Sequence, residues 1–174
     1  PNYVFITPNL CHDGHDTFGA NMKCVDGQLG GLVAADKFLK DNVPKILASP
    51  AYKHDGLLIV TFDESEGGDA SACCNEPRGP NIKPKSVVVF DTPPPKQPKR
   101  IPDKGPGITG PGGGRTGAVL VSRFSKPGTI SKTAYNHCAL LGSIEDFFGV
   151  GHVGYAGQKG LRSFGKDIFT QPNG

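Results

Sequence analysis

No run of apolar residues in this sequence approaches the ~20 that a helix needs to span a bilayer, so no transmembrane segment is expected. No signal peptide is read either: Pro1-Asn2 lead straight into a strand-like stretch, which predicts a mature or cleaved start. There is no surplus of one charge. Lys+Arg 19 against Asp+Glu 16 gives +3, and the basic residues are scattered, so the basic stripe of a nucleic-acid binder is absent and no nucleic-acid partner is expected. Cys11, Cys24, Cys73, Cys74 and Cys138 match no CxxC…CxxC framework, which argues against thiolate-bound structural zinc. No internal repeat is visible. Gly110 to Gly117, containing Arg115, lacks the Lys-Ser/Thr ending of a P-loop and opens no helix, so it reads as a loop. Ser65 sits in no G-x-S-x-G elbow and is not a candidate nucleophile.

What is present is glycine and proline. Gly 25 and Pro 16 stand above, and the hydrophobic fraction of 36% below, the globular average, a balance that predicts a compact core carrying long irregular loops. The 174 residues suit one domain rather than two. Cys11 and Cys24 bracket one loop and are able to pair in an oxidising compartment. Cys73-Cys74 is a vicinal pair, which bonds elsewhere more readily than to itself.

Tyr3-Val4-Phe5-Ile6-Thr7, ended by Pro8, reads as a buried strand. Leu29, Leu32, Val33, Leu39, Val43, Ile46 and Leu47 recur at helical spacing, and Pro44 should bend or interrupt that helix. Leu57 to Phe62 is a continuous apolar run, the mark of a strand covered on both faces in a parallel sheet. Ser86–Phe90 and Ala118–Ser122 read as further strands. The Pro- and Gly-rich segment from Asp91 to Gly114 reads as too poor in apolar residues for a packed element. Leu140, Leu141, Ile144, Phe147 and Phe148 give the clearest helix, closed by Gly149. Strands alternating with helices predict an α/β fold, a mostly parallel sheet sandwiched by helices.

Three features carry chemistry. Asp63-Glu64 directly follow a strand, at the edge where α/β sheets bind ligands, and paired carboxylates suit a hard divalent cation. A polar strand exit that merely begins a loop explains the pair equally well when it is taken alone. Cys11-His12-Asp13-Gly14-His15-Asp16 mixes imidazole and carboxylate after the first expected strand, as metal sites require. A solvated turn is the bland alternative. His137 opens the last helix, whose amino terminus favours anions, although a lone histidine is more often structural. His54 and His152 read as structural.

With those residues in place, the chain resembles the phosphoesterase family of bacterial phospholipases C and secreted acid phosphatases, within the alkaline-phosphatase superfamily. The resemblance rests on Phe5-Ile6-Thr7-Pro8-Asn9 with His15-Asp16, on Ile59-Val60-Thr61-Phe62-Asp63-Glu64, and on Gly117 to Ser122 with Ser125-Lys126-Pro127-Gly128. It continues through Asn136-His137 and Ser143-Ile144-Glu145-Asp146-Phe147-Phe148-Gly149. It implies a hydrolase of phosphoric esters, with Asp63, Glu64 and Asp13 as ligands of a divalent metal ion and His15 and His137 as catalytic residues. It implies secretion or a periplasmic location. It also implies that the Ser/Thr nucleophile lies upstream, so that residues 1–174 form the carboxyl-terminal part of a single catalytic domain. The other part of that domain is then an expected partner, alongside the phosphate-ester substrate. The helices read here are too few to cover both faces of a sheet, so apolar surface should be exposed on this segment, and the segment alone should be inactive. A metal- or ligand-binding homologue without turnover is the alternative from another functional class.

Overall fold

The computed structural model describes residues 1–15, 24, 27, 29–65, 87–89, 99–101 and 113–170, and Cys73 and Cys74 lie outside them. The chain divides into two compact units, Pro1–Gly56 and Leu57–Gly174. Together they carry an α/β set of elements.

In the first unit, residues 3–7 form no strand among the described residues. Their side chains lie open to solvent, Phe5 at 78% exposure. An apolar run becomes a strand only when a neighbour takes up its N–H and C=O groups, and here no ladder does. The chain then turns at Asn9, whose Oδ1 accepts the Cys11 N–H at 3.1 Å. A disulfide joins Cys11 to the buried Cys24 with their Cα atoms 5.6 Å apart.

Helix α1 runs Gly31–Ala48 and buries Gly31, Ala34 and Ala35, while Leu32 and Val33 remain exposed. Pro44 lies inside that span without interrupting it, contrary to the sequence reading. A proline removes one N–H donor, here close enough to the helix end that few turns depend on it. Ser49 then closes α1 and opens α2 (Pro50–Asp55), its Oγ donating to the Ile46 carbonyl at 2.8 Å and accepting from the Tyr52 N–H at 3.3 Å.

The second unit holds strand β1 (Leu57–Thr61), β2 (Val87–Val89), β3 (Lys99–Ile101) and β4 (Ala118–Ser122). Both ladders are antiparallel: β1 with β4, from Leu57↔Ser122 to Thr61↔Ala118, and β2 with β3. The parallel pairing expected for these strands is therefore absent from the described residues. Nor is β1 covered on both faces, since Leu57 to Val60 are only half-buried. A continuous apolar run marks a strand without fixing its partner's direction. Strand β3 also corrects the reading of residues 91–114 as free of packed elements; Val88↔Arg100 pairing supplies what its apolar content does not.

Helix α3 (His137–Phe147) forms where it is expected, and Gly149, at φ 62°, follows it in the left-handed conformation that glycine adopts without strain. The face it buries is not the large apolar one. Ala139, Gly142 and Ser143 are buried at i, i+3, i+4 spacing, whereas Leu141 and Phe147 are exposed. Small residues let the following chain approach closely: a Cβ added at Gly142 would lie 3.5 Å from the Ala156 carbonyl oxygen. Ser143, wholly buried, donates to the Ala139 carbonyl at 2.6 Å and accepts the Phe164 N–H at 2.7 Å. Glu145 accepts the Val153 N–H at 3.1 Å, and His152 meets Asp146 at 2.8 Å. A 3-10 turn over Gly154–Gly157 lies within this returning segment.

Two carboxylates in this region titrate low. The Ser163 hydroxyl, and then His152, hold Asp146 below the usual carboxylate range; Ser131, and then Tyr135, do the same for Asp167 against a smaller opposing push from burial. A carboxyl group with a depressed folded pKa stabilises the fold fully above its unfolded value. That contribution is lost as pH falls through the lower folded value. The urea midpoint should therefore hold near neutrality and decline below about pH 4. Asp167→Asn should flatten that decline. An undiminished decline in the variant would remove Asp167 from the account.

Candidate active site

The antiparallel register places the residues entering β4 beside those leaving β1. Thr61 Oγ1 donates to the Gly117 carbonyl at 3.0 Å, and the Ser65 N–H donates to the Gly113 carbonyl at 2.6 Å. Between these two ties lies the exposed turn that carries Asp63 and Glu64. Asp63 Oδ1 accepts the Glu64 N–H at 3.0 Å, which fixes one carboxylate against its own backbone. Gly113 fits closely: a Cβ there would stand 3.0 Å from Glu64 Cβ and 3.4 Å from the Asp63 carbonyl oxygen. That contact is tight enough that only glycine is accommodated without displacing the acidic turn.

The third side of the turn is made by α3. Asn136 caps the helix, its Oδ1 accepting the Ala139 N–H at 2.8 Å. Such a cap is worth about 1 kcal/mol. His137, the first helical residue, extends its ring so that Nε2 lies 2.8 Å from the Asp63 carbonyl oxygen. A carbonyl only accepts, so Nε2 carries the proton and the neutral ring keeps its lone pair on Nδ1.

The structure thus brings His137 onto the backbone of the Asp63-Glu64 pair. Asp13 and His15 belong to the other unit, where Asp13 Oδ1 accepts the His15 N–H at 2.9 Å. Among the described residues, no group of three or more His, Cys, Asp or Glu side chains converges as a metal cage. Asp63 and Glu64 offer oxygen donors of the kind a hard divalent cation takes, so they fit as part of a ligand set that further donors complete.

Two polar atoms at this turn are buried without a hydrogen-bond partner, Ser65 Oγ and Asn136 Nδ2. Sequence reasoning set Ser65 aside and did not single out Gly113 or Asn136. The glycine run Gly112-Gly113-Gly114 was the available sign that a backbone passes closely there, and Asn before a helical run was the sign of the cap. An open cleft of about 590 Å³ lined by Lys126, Thr129, Lys166 and Asp167 contains none of the predicted site residues.

Residues 1–151 match the family model described as Phosphoesterase family. A probable acid phosphatase of Kluyveromyces lactis is 36% identical over 66 residues, which cover 38% of this chain and 13% of that protein. No solved structure matches the chain.

Proposed function

This chain belongs to the phosphoesterase family, and on that premise we propose that it is part of a metal-dependent hydrolase of phosphoric esters, of the acid phosphatase or phospholipase C kind. The observation that carries the proposal is the acidic turn itself. Asp63 and Glu64 are exposed at a strand exit, tied on either side to the chain entering β4, and met by an imidazole on their backbone.

In this reading Asp63 and Glu64 would hold a divalent cation, with further donors completing the set. When bound, the cation neutralises charge on phosphoryl oxygens and acidifies a hydroxyl. The residues of this chain do the rest by placement. His137, its Nε2 proton committed to the Asp63 carbonyl, keeps the Nδ1 lone pair to accept a proton from a reacting hydroxyl or water. A Ser or Thr hydroxyl upstream of this segment forms the new P–O bond while the ester P–O bond breaks and the departing alcohol takes a proton. Water then attacks phosphorus, releases orthophosphate and restores the hydroxyl.

The complete domain is read as an α/β/α sandwich with a mostly parallel sheet, of which residues 1–174 are the carboxyl-terminal part. The exposure of Leu32, Val33 and Val119 supports that, since apolar side chains on these elements lack cover. The Cys11–Cys24 disulfide supports a secreted or periplasmic location.

The test compares the full-length protein with residues 1–174 expressed alone, on a chromogenic phosphate monoester and a phosphodiester. The full-length protein should hydrolyse at least one of them in a metal-dependent manner. The segment alone should be folded by circular dichroism and inactive. Hydrolysis by the isolated segment would overturn the upstream nucleophile, and inactivity of the metal-replete full-length protein on both esters would overturn the function.

A further inference from the structure

We propose that Asn136 is the positioning residue for His137, an inference that rests on the functional reading of His137 above. His137 occupies the first position of an α-helix, the place most prone to fray because its N–H groups have no partner within the helix. Its ring nevertheless has to meet a carbonyl 74 residues away in the chain, at 2.8 Å. A ring that reaches that far from a fraying turn stays in place only if the turn is fixed.

Asn136 fixes it twice. Its backbone is extended, at φ −129° and ψ 178°, so the helix begins abruptly at His137. Its carbonyl accepts the Leu140 N–H at 3.0 Å, and its side-chain Oδ1 accepts the Ala139 N–H at 2.8 Å. Main chain and side chain of one residue therefore close the turn that carries the imidazole. The amide nitrogen contributes nothing to this: Nδ2 is buried and meets no acceptor. A stranded donor is a cost that serine at the same cap would avoid, whereas aspartate would bury an unpaired charged oxygen there. The function of Asn136 accordingly resides in Oδ1, not in its N–H groups. Serine keeps a cap oxygen without the stranded amide.

The experiment uses the full-length protein as purified and the variants Asn136→Ala, Asn136→Gly and Asn136→Ser. Glycine retains most of the cap's tolerance for a helix start while removing Oδ1, so it remains informative where alanine prevents folding. Two quantities are read. The first is the ring tautomer of His137 by nitrogen–proton correlation NMR on histidine-labelled protein at a fixed, mildly alkaline pH. The second is kcat and KM on a chromogenic phosphate monoester.

Wild-type protein should show the Nε2–H form. Alanine and glycine should lose that signature to a mixture of tautomers and lower kcat on the order of ten- to a hundred-fold with KM nearly unchanged. Serine should restore both. Retention of the Nε2–H signature and of kcat in the alanine or glycine variant, with only the thermal midpoint lowered, would overturn the inference. So would failure of serine to rescue. If the wild-type protein hydrolyses no phosphate ester, the functional reading fails, and the tautomer measurement alone decides whether Asn136 positions the ring.

Discussion

The double substitution Asp63→Asn and Glu64→Gln should strip the purified full-length protein of a bound divalent metal and abolish ester hydrolysis, with little change in stability. Two adjacent carboxylates on an exposed turn repel one another, and a bound cation relieves that repulsion while taking oxygen donors of the type it prefers. Amide side chains remove the charge and keep the shape. In particular, an asparagine oxygen at position 63 still accepts the Glu64 N–H that Asp63 Oδ1 accepts at 3.0 Å. The ties from Ser65 to Gly113 and from Thr61 to Gly117 are untouched. The expected activity loss therefore exceeds the ~10- to 100-fold that removal of a residue merely orienting a ligand costs. Metal is counted by inductively coupled plasma mass spectrometry after dialysis. Unchanged metal stoichiometry in the double variant would falsify the assignment.

Replacing His137 by alanine should lower kcat by on the order of 10²–10⁴-fold, the contribution of a positioned side chain that accepts a proton in the transition state. Stability should fall by only about 1 kcal/mol, the worth of one ordinary hydrogen bond. The carbonyl it leaves behind belongs to Asp63, an exposed residue, so water can replace the ring. The buried face of α3, Ala139, Gly142 and Ser143, does not involve His137. His137→Gln separates the ring's contributions, because an amide nitrogen can still donate to the Asp63 carbonyl but offers no imidazole. Activity in the glutamine variant should stay close to that of alanine. A large loss of stability with kcat preserved in either variant would make His137 a structural residue.

Helix α3 was legible in the sequence because Leu140, Leu141, Ile144 and Phe147 repeat at helical spacing, yet Leu140 and Ile144 are only half-buried and Leu141 and Phe147 are exposed. Burial went to Ala139, Gly142 and Ser143 because the chain after the helix packs back against small residues. Periodicity reports that a helix has faces; it does not say which one a neighbouring backbone can approach. The strands β1 and β4 were legible as apolar runs, but strand direction depends on which chain end meets which. That is a property of the connection rather than of either run. Tyr3–Thr7 has the composition of a strand and no ladder among the described residues, since composition cannot supply a partner. At the candidate site, Asp63, Glu64 and His137 stood out by residue type. Gly113 and Asn136 did not, because they act through a close approach and a helix cap, which only the assembled geometry makes specific.

The hydrogen bond from Ser65 to Gly113 closes the chain on itself immediately after the acidic pair. Asp63 and Glu64 thus sit beside a neck at which residues 65 and 113 meet. For a flexible loop, the entropy of closure grows only with the logarithm of length, so doubling it costs roughly 0.6 kcal/mol. Changes in the length of sequence joining Ser65 to Gly113 therefore add little to the cost of holding that neck closed. Relatives are then free to differ widely in length and sequence there, around a neck whose two ends stay put. Under the function proposed above, that stretch is where substrate preference would diverge while Asp63 and Glu64 are kept.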